Sequence, residues 1–320
     1  MTNPVIPPPV EDLDLYQRAD RNIRESAIGY ALLLAATISV FTTVAIIYIL
    51  ASETINFFGN VSVGEFLFGK TLADGSYSCN WTPQFATKEF CIWPTVNGTL
   101  MVAVIAMILA TPLGLATAVY LSEYASPRVG KLLRPAIELL AGVPTVVYGY
   151  FALNFVTPFL EKFIPGLNGF NSLSAGLVMG VMIIPTIASV STDAMVAVPL
   201  ALREAAFGLG STRKEVSLQV VLPAALSGIC AAIILGISRA VGETMIVAIA
   251  AGQSPTLTLD PRQTVGTMTA YIAQVAKGDS RVGSVEYQAL FAVGTTLFLI
   301  TLALNIISKT ISKRFQETYE

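Results

Sequence analysis

The chain has 320 residues, 54% of them hydrophobic and only 12% charged, with a net charge of −2 and a mean hydropathy of +0.67. A soluble protein of this length carries about twice that charge fraction, so an ordinary water-soluble domain is excluded. The complete absence of histidine removes His-based acid–base chemistry, the commonest activation of a nucleophile, and His metal ligation.

Residues 1–26 read as an N-terminal tail. Pro7-Pro8-Pro9 predicts a disordered stretch, and residues 11–26 predict a short helix on the inner membrane face. Six apolar segments follow, each long enough for the roughly 20 helical residues that cross a bilayer. They cover 28–52, 96–121, 133–160, 173–198, 219–250 and 287–308. The first is longer than the apolar region of a typical signal peptide and reads as an anchor that stays. No ten-residue alternating pattern argues for a β-barrel.

Basic residues set the expected orientation. Arg18, Arg21, Arg24, Arg128, Lys131, Arg134, Arg203, Arg213, Lys214, Lys309, Lys313 and Arg314 share one side. Six others are spread over the longer loops opposite, and Arg239 lies within a span. The bias predicts a multi-pass plasma-membrane protein with both termini cytoplasmic.

The outer loop at 53–95 holds Cys79 and Cys91, in an oxidising compartment that permits a disulfide. Spacing alone leaves the bonded and free states both open. Trp81 and Trp93 make the same loop a candidate docking surface. Gly142-Val143-Pro144 and Ile184-Pro185-Thr186 predict kinks, and Glu138 and Asp193 fall near inner helix ends as structural groups.

The polar interruption at 200–223, LALREAAFGLGSTRKEVSLQVVLP, predicts a short helix, a break and a second helix. Leu200 to Phe207 are good helix formers, Gly208 and Gly210 supply a stop, and Thr212 with Glu215 matches a capping box. Pro223 then kinks the start of the fifth span. In that span Arg239 and Glu243 are four apart, which on a continuous helix puts both on one face. Buried charge in a membrane is costly, about 2.5–3.5 kcal/mol for a central Arg. The two residues are therefore either a self-satisfied pair or an anion contact with a gate.

Glu204-Ala205-Ala206 followed by Gly210, Val220 and Leu222-Pro223 resembles the EAA loop of ABC-importer permeases. The runs Ala141–Gly149 (AGVPTVVYG), Arg239–Met245 (RAVGETM) and Met268–Ile272 (MTAYI) are similar to the phosphate permeases of the PstC family, over nearly all of the chain beyond about residue 95. The resemblance implies an all-α integral membrane protein with six transmembrane helices, the type I ABC-importer permease fold and a cytoplasmic coupling helix. It divides the chain into the tail 1–26, first span and outer loop 27–95, permease core 96–310 with coupling loop 199–215, and C-terminal tail 311–320.

The implied activity is high-affinity import of inorganic phosphate by a transport subunit that is not an enzyme. Glu204, Ala205, Ala206 and Gly210 would touch the ATPase, and Arg239 and Glu243 would line the substrate pathway. The implied partners are a second permease PstA, a PstB ATPase dimer, the external binding protein PstS, phosphate and membrane lipid, with no nucleic acid. In the resemblance ATP and Mg belong to the ATPase, and no cofactor or metal is expected on this chain. Two rival readings stand beside this one: import of another oxyanion (phosphonate, molybdate or sulfate), and an ATP-independent secondary transporter.

Overall fold

The structure, a computed structural model, describes residues 23–71, 75, 77–84, 88–278 and 280–314. The proline tail and residues 11–22 of the expected surface helix lie outside the described residues, and residues 23–26 belong to the first helix.

In chain order the elements are α1 (Ile23–Asn60), α2 (Val63–Phe68), strands β1 (Lys70–Thr71) and β2 (Tyr77–Ser78), and α3 (Trp93–Val119). Then come α4 (Pro127–Gly142), α5 (Thr145–Phe151), α6 (Thr157–Glu161), α7 (Ser172–Val196), α8 (Leu200–Gly208), α9 (Arg213–Glu215) and α10 (Leu222–Ala224). The chain closes with α11 (Leu226–Gly242), α12 (Met268–Lys277) and α13 (Val285–Arg314). Wider π turns at Tyr120–Tyr124, Ala152–Val156, Val216–Val221 and Val247–Ala251 continue several of these helices.

Four described helices are long and apolar enough to cross a membrane: Ala27–Asn60, Trp93–Tyr124, Ser172–Val196 and Val285–Thr310. Two bent pairs pass the same test, Pro127–Gly142 with Thr145–Glu161 at 85° and Arg213–Ala224 with Leu226–Gly242 at 71°. Counting each pair as one span gives six. The bends fall where kinks were expected, at Gly142-Val143-Pro144 in the segment 133–160 and beside Pro223 in the segment 219–250. At the first break Pro144 has no N–H and disfavours a helical residue before it, so Val143 is extended.

Contacts divide the chain within α1, after Ile49. The described part of the first unit is one helix, exposed at every described side chain except Ala45. It is apolar all round, and Thr37, Thr42 and Thr43 return their hydroxyls to carbonyls one turn back. Such a helix leaves no backbone group unmet and suits hydrocarbon.

The second unit, from Leu50 onward, is centred on α3 and α7. These helices come close because glycines on one admit the side chains and backbone of the other. A Cβ at Gly176 would lie 2.6 Å from Ile105, and one at Gly180 would lie 2.9 Å from the Ala106 carbonyl. Lipid gives apolar side chains no reason to associate, so membrane helices gain mainly from close packing of this kind. Val102, Met179, Met182, Ile183, Ile187 and Ile246 fill the surrounding core.

At one end, the described residues between 57 and 92 form a small cap over α12 and α13. The Cys79–Cys91 disulfide closes it, and Phe57, Phe66, Phe90 and Trp81 meet edge to face inside. Trp81 is only 2% exposed, packed on Tyr271 of α12. It belongs to a core and is withdrawn from the docking surface expected of it, whereas Trp93 is half exposed.

Candidate functional site

Two breaks of the same design face each other. In the first, α4 ends at Gly142, Val143 and Pro144 are extended, and α5 starts at Thr145. In the second, α11 ends at Gly242, Glu243 is extended (φ −69°, ψ 134°), and a new helical turn starts at Met245. The segments after the breaks pack together where Gly149 meets Ile249. A Cβ there would lie 3.0 and 3.1 Å from the Ile249 side chain and 3.3 Å from the Met245 carbonyl.

Glu243 is therefore not on the helix face of Arg239, as continuous helix would require. Its carboxylate accepts the N–H groups of Met245 (3.0 Å) and Ile246 (3.3 Å), capping the turn that follows. An acidic side chain that caps a new helix start competes with continuation of the old helix. Among the described residues no ion pair joins Arg239 to Glu243. The signal was present in the sequence: a glycine, then an acidic residue and threonine, just before an apolar run.

Arg239, in the last turn of α11, donates from Nη1 to Thr186 Oγ1 at 3.1 Å. Thr186 follows Pro185 within α7. Tyr148 lies near enough to interact electrostatically with Arg239, and its hydroxyl donates to the Leu140 carbonyl at 2.8 Å. That bond crosses the first break and answers a carbonyl at the end of α4. Behind the second break, Thr269 Oγ1 donates to the Glu243 carbonyl at 2.6 Å, and Thr99 Oγ1 accepts the N–H of Met268. The runs AGVPTVVYG, RAVGETM and MTAYI, far apart in sequence, thus meet at one place. Chemically the site offers one guanidinium, half buried, with hydroxyls around it, which suits an oxyanion.

Glu138 and Asp193 line a cavity of about 120 Å³ with Arg134 and Thr192, between α4 and α7. A larger cavity of about 630 Å³ opens beside the disulfide-closed cap, lined by Trp81, Phe170, Gln253, Ser254, Tyr271 and Gln274 among others. Uncharged side chains line it throughout.

At the opposite end the polar interruption folds as an elbow. Gly210 has φ +87°, a left-handed conformation that favours glycine. The Thr212–Glu215 capping box is complete. The inward face of α8 carries Leu202 and Ala206, which pack with Met195, Val216, Val221 and Ile229. Ala206 is 9% exposed and turns mainly toward this core, where the expectation had it in the contact with the ATPase. Glu204, Ala205 and Gly210 are exposed, together with Leu200, Phe207 and Leu209. The roughly 100° turn per residue on a helix puts Ala206 on a different side of α8 from Glu204 and Ala205.

Comparison with known proteins agrees with this architecture. Residues 110–317 match the family of binding-protein-dependent transport system inner membrane components. The chain is 35% identical over 277 residues to the probable ABC transporter permease protein YqgH of Bacillus subtilis, covering 86% of this chain and 89% of that one. It is 34% identical over 256 residues to the phosphate transport system permease protein PstC of Xylella fastidiosa, covering 73% and 76% of the two chains. Among solved structures, a bacterial ABC transporter involved in import of the acidic polysaccharide alginate matches with a TM-score of 0.63. The two are 15% identical, with 93% of this chain and 99% of that one covered.

The chain belongs to the family of binding-protein-dependent transport system inner membrane components, and its fold is that of ABC-importer permeases. Its relatives are transport permease subunits, several of them phosphate permeases of the PstC type.

Proposed function

We propose that this chain is one permease subunit of an ATP-driven importer of inorganic phosphate, forming half of the translocation pathway. The observation that carries the reading is the guanidinium of Arg239, held by Thr186 beside the two helix breaks after Gly142 and Gly242. The names of the relatives supply the choice of phosphate among oxyanions.

In this reading α8 faces the cytoplasm, and its exposed Leu200, Glu204, Phe207 and Leu209 seat in a separate ATPase dimer of the PstB type. ATP and Mg are bound there and not by this chain. A second permease, PstA, covers the exposed flank of α4 and α5, where Leu139, Val147 and Tyr150 are bare. An external phosphate-binding protein, PstS, delivers substrate to the cap end. ATP binding draws the two coupling helices together and opens the spans outward. Hydrolysis returns them inward, and the anion passes Arg239. Glu243 acts by holding the second break in shape rather than by pairing with Arg239.

Uptake of radiolabelled phosphate by the reconstituted four-component complex tests this. Uptake should require ATP, resist excess sulfate and molybdate, and fall sharply in R239Q at normal expression. Undiminished uptake in R239Q would remove Arg239 from the pathway. Stronger competition by another oxyanion would reassign the substrate, and uptake by the chain alone on an ion gradient would favour a secondary transporter.

A further inference from the structure

Arg203 lies in α8 next to Glu204 but points the other way. Its Nη1 donates to Glu123 Oε1 at 2.6 Å, and its Nη2 donates to the Met195 carbonyl at 2.7 Å. Glu123 sits in the π turn Tyr120–Tyr124 that ends the span begun by α3, and Met195 is in the last turn of α7. One guanidinium on the short helix therefore grips the ends of both central spans. The side chains of this ion pair are 15% and 7% exposed, so water screens it little.

The remaining contacts of α8 with the body are apolar, through Leu202 and Ala206. Apolar contact is non-directional; it opposes separation but does little against sliding. A charge-assisted link made through two guanidinium nitrogens fixes direction as well as distance. Arg203 therefore adds a directed link from α8 to the ends of both central spans, beside the backbone that joins α8 to α7 through Val198 and Pro199.

We propose that Arg203 and Glu123 form the joint through which motion of α8 is transmitted to α3 and α7, as positioning residues that act on the pathway at a distance. The proposal rests on the functional reading above, in which an ATPase bears on α8. It is tested in the reconstituted complex by measuring ATP hydrolysis and phosphate uptake in the same vesicles. E123Q keeps the shape of the side chain and removes its charge, and R203K loses the second leg of the fork.

Both variants should hydrolyse ATP while phosphate moved per ATP falls, by about tenfold for E123Q, within the range usual for coupling between sites. The ratio is taken on complexes purified through this chain with the ATPase retained in parent amount, so neither lost expression nor detached ATPase imitates the effect. An unchanged ratio in both variants would overturn the proposal. A nitroxide on exposed Leu113 of α3 gives a readout that needs no substrate. Its spectrum should change on trapping with ATP and vanadate in the parent protein and stay fixed in E123Q, whereas equal changes in both would reject the joint. If the parent complex moves no phosphate, the functional reading fails, and the nitroxide still reports on the joint.

Discussion

Arg239 stood out in the sequence because an arginine in an apolar run is costly and so conspicuous. Its partner was not, because Thr186 lies 53 residues away and nothing in either segment announces the pairing. A hydrogen bond to a charged group contributes about 1.5–3 kcal/mol. T186V should therefore leave Arg239 less well held, and phosphate uptake should fall by roughly tenfold or more, read from initial rates. Glu243 carries the opposite lesson. The four-residue spacing predicted a shared face, but the carboxylate is used on the amides of Met245 and Ile246, where the helix has already ended.

Asp260 shows how a single carboxylate orders a loop outside the spans. Side-chain hydrogen bonds from Arg262 lower its pKa to about 2, and Arg262 in turn donates to the Pro165 carbonyl and accepts the N–H of Asn168. The folded pKa is depressed below the unfolded value of about 3.9. The stabilising effect is then fully present above that value and lost as pH falls through the folded one. Amide protection at Asn168 should hold steady from pH 8 to 5 and decline as pH drops from about 4 toward 2. D260N should show the reduced level at every pH.

Among the elements, the broken spans decide the site. Pro144 marked a kink in the sequence, but neither its 85° size nor the matching break after Gly242 could be read there. The turn depends on Tyr148 answering Leu140 and on Gly149 admitting Ile249, both of them contacts made by the folded chain. G149V should force the two post-break segments apart. Overpacking of this kind costs about 1–3 kcal/mol, so the melting temperature in detergent should fall and uptake with it. The capping box of Thr212 and Glu215 was fully legible because it is local. The phase of α8 was not, since which side of a short helix faces inward is set by the core it meets.

For the whole molecule, hydropathy was enough to place six apolar segments, and the four long apolar helices with two bent pairs follow the same order among the described residues. What composition could not reveal was the cap at 57–92, where a buried aromatic cluster and the Cys79–Cys91 bond make a folded piece of an apparently polar loop. The outward face of α8 gives a prediction at this scale. A photo-crosslinker at Leu209, 88% exposed, should capture the ATPase in working cells, and one at Ala206, 9% exposed, should not. Capture from Ala206 alone would invert the assigned face.

The elbows at Val143–Pro144 and Glu243–Thr244 interrupt the ladder of peptide hydrogen bonds in mid-span. Acyl chains offer no donors or acceptors, and each peptide group left bare among them costs several kcal/mol. Oil is therefore an unfit neighbour for the flank bearing Gly142 and Pro144, both exposed in the isolated chain. Made without another protein to shelter that seam, the polypeptide should be an orphan that quality-control proteases clear quickly. Pulse-chase half-lives with and without its co-expressed companion would register the difference.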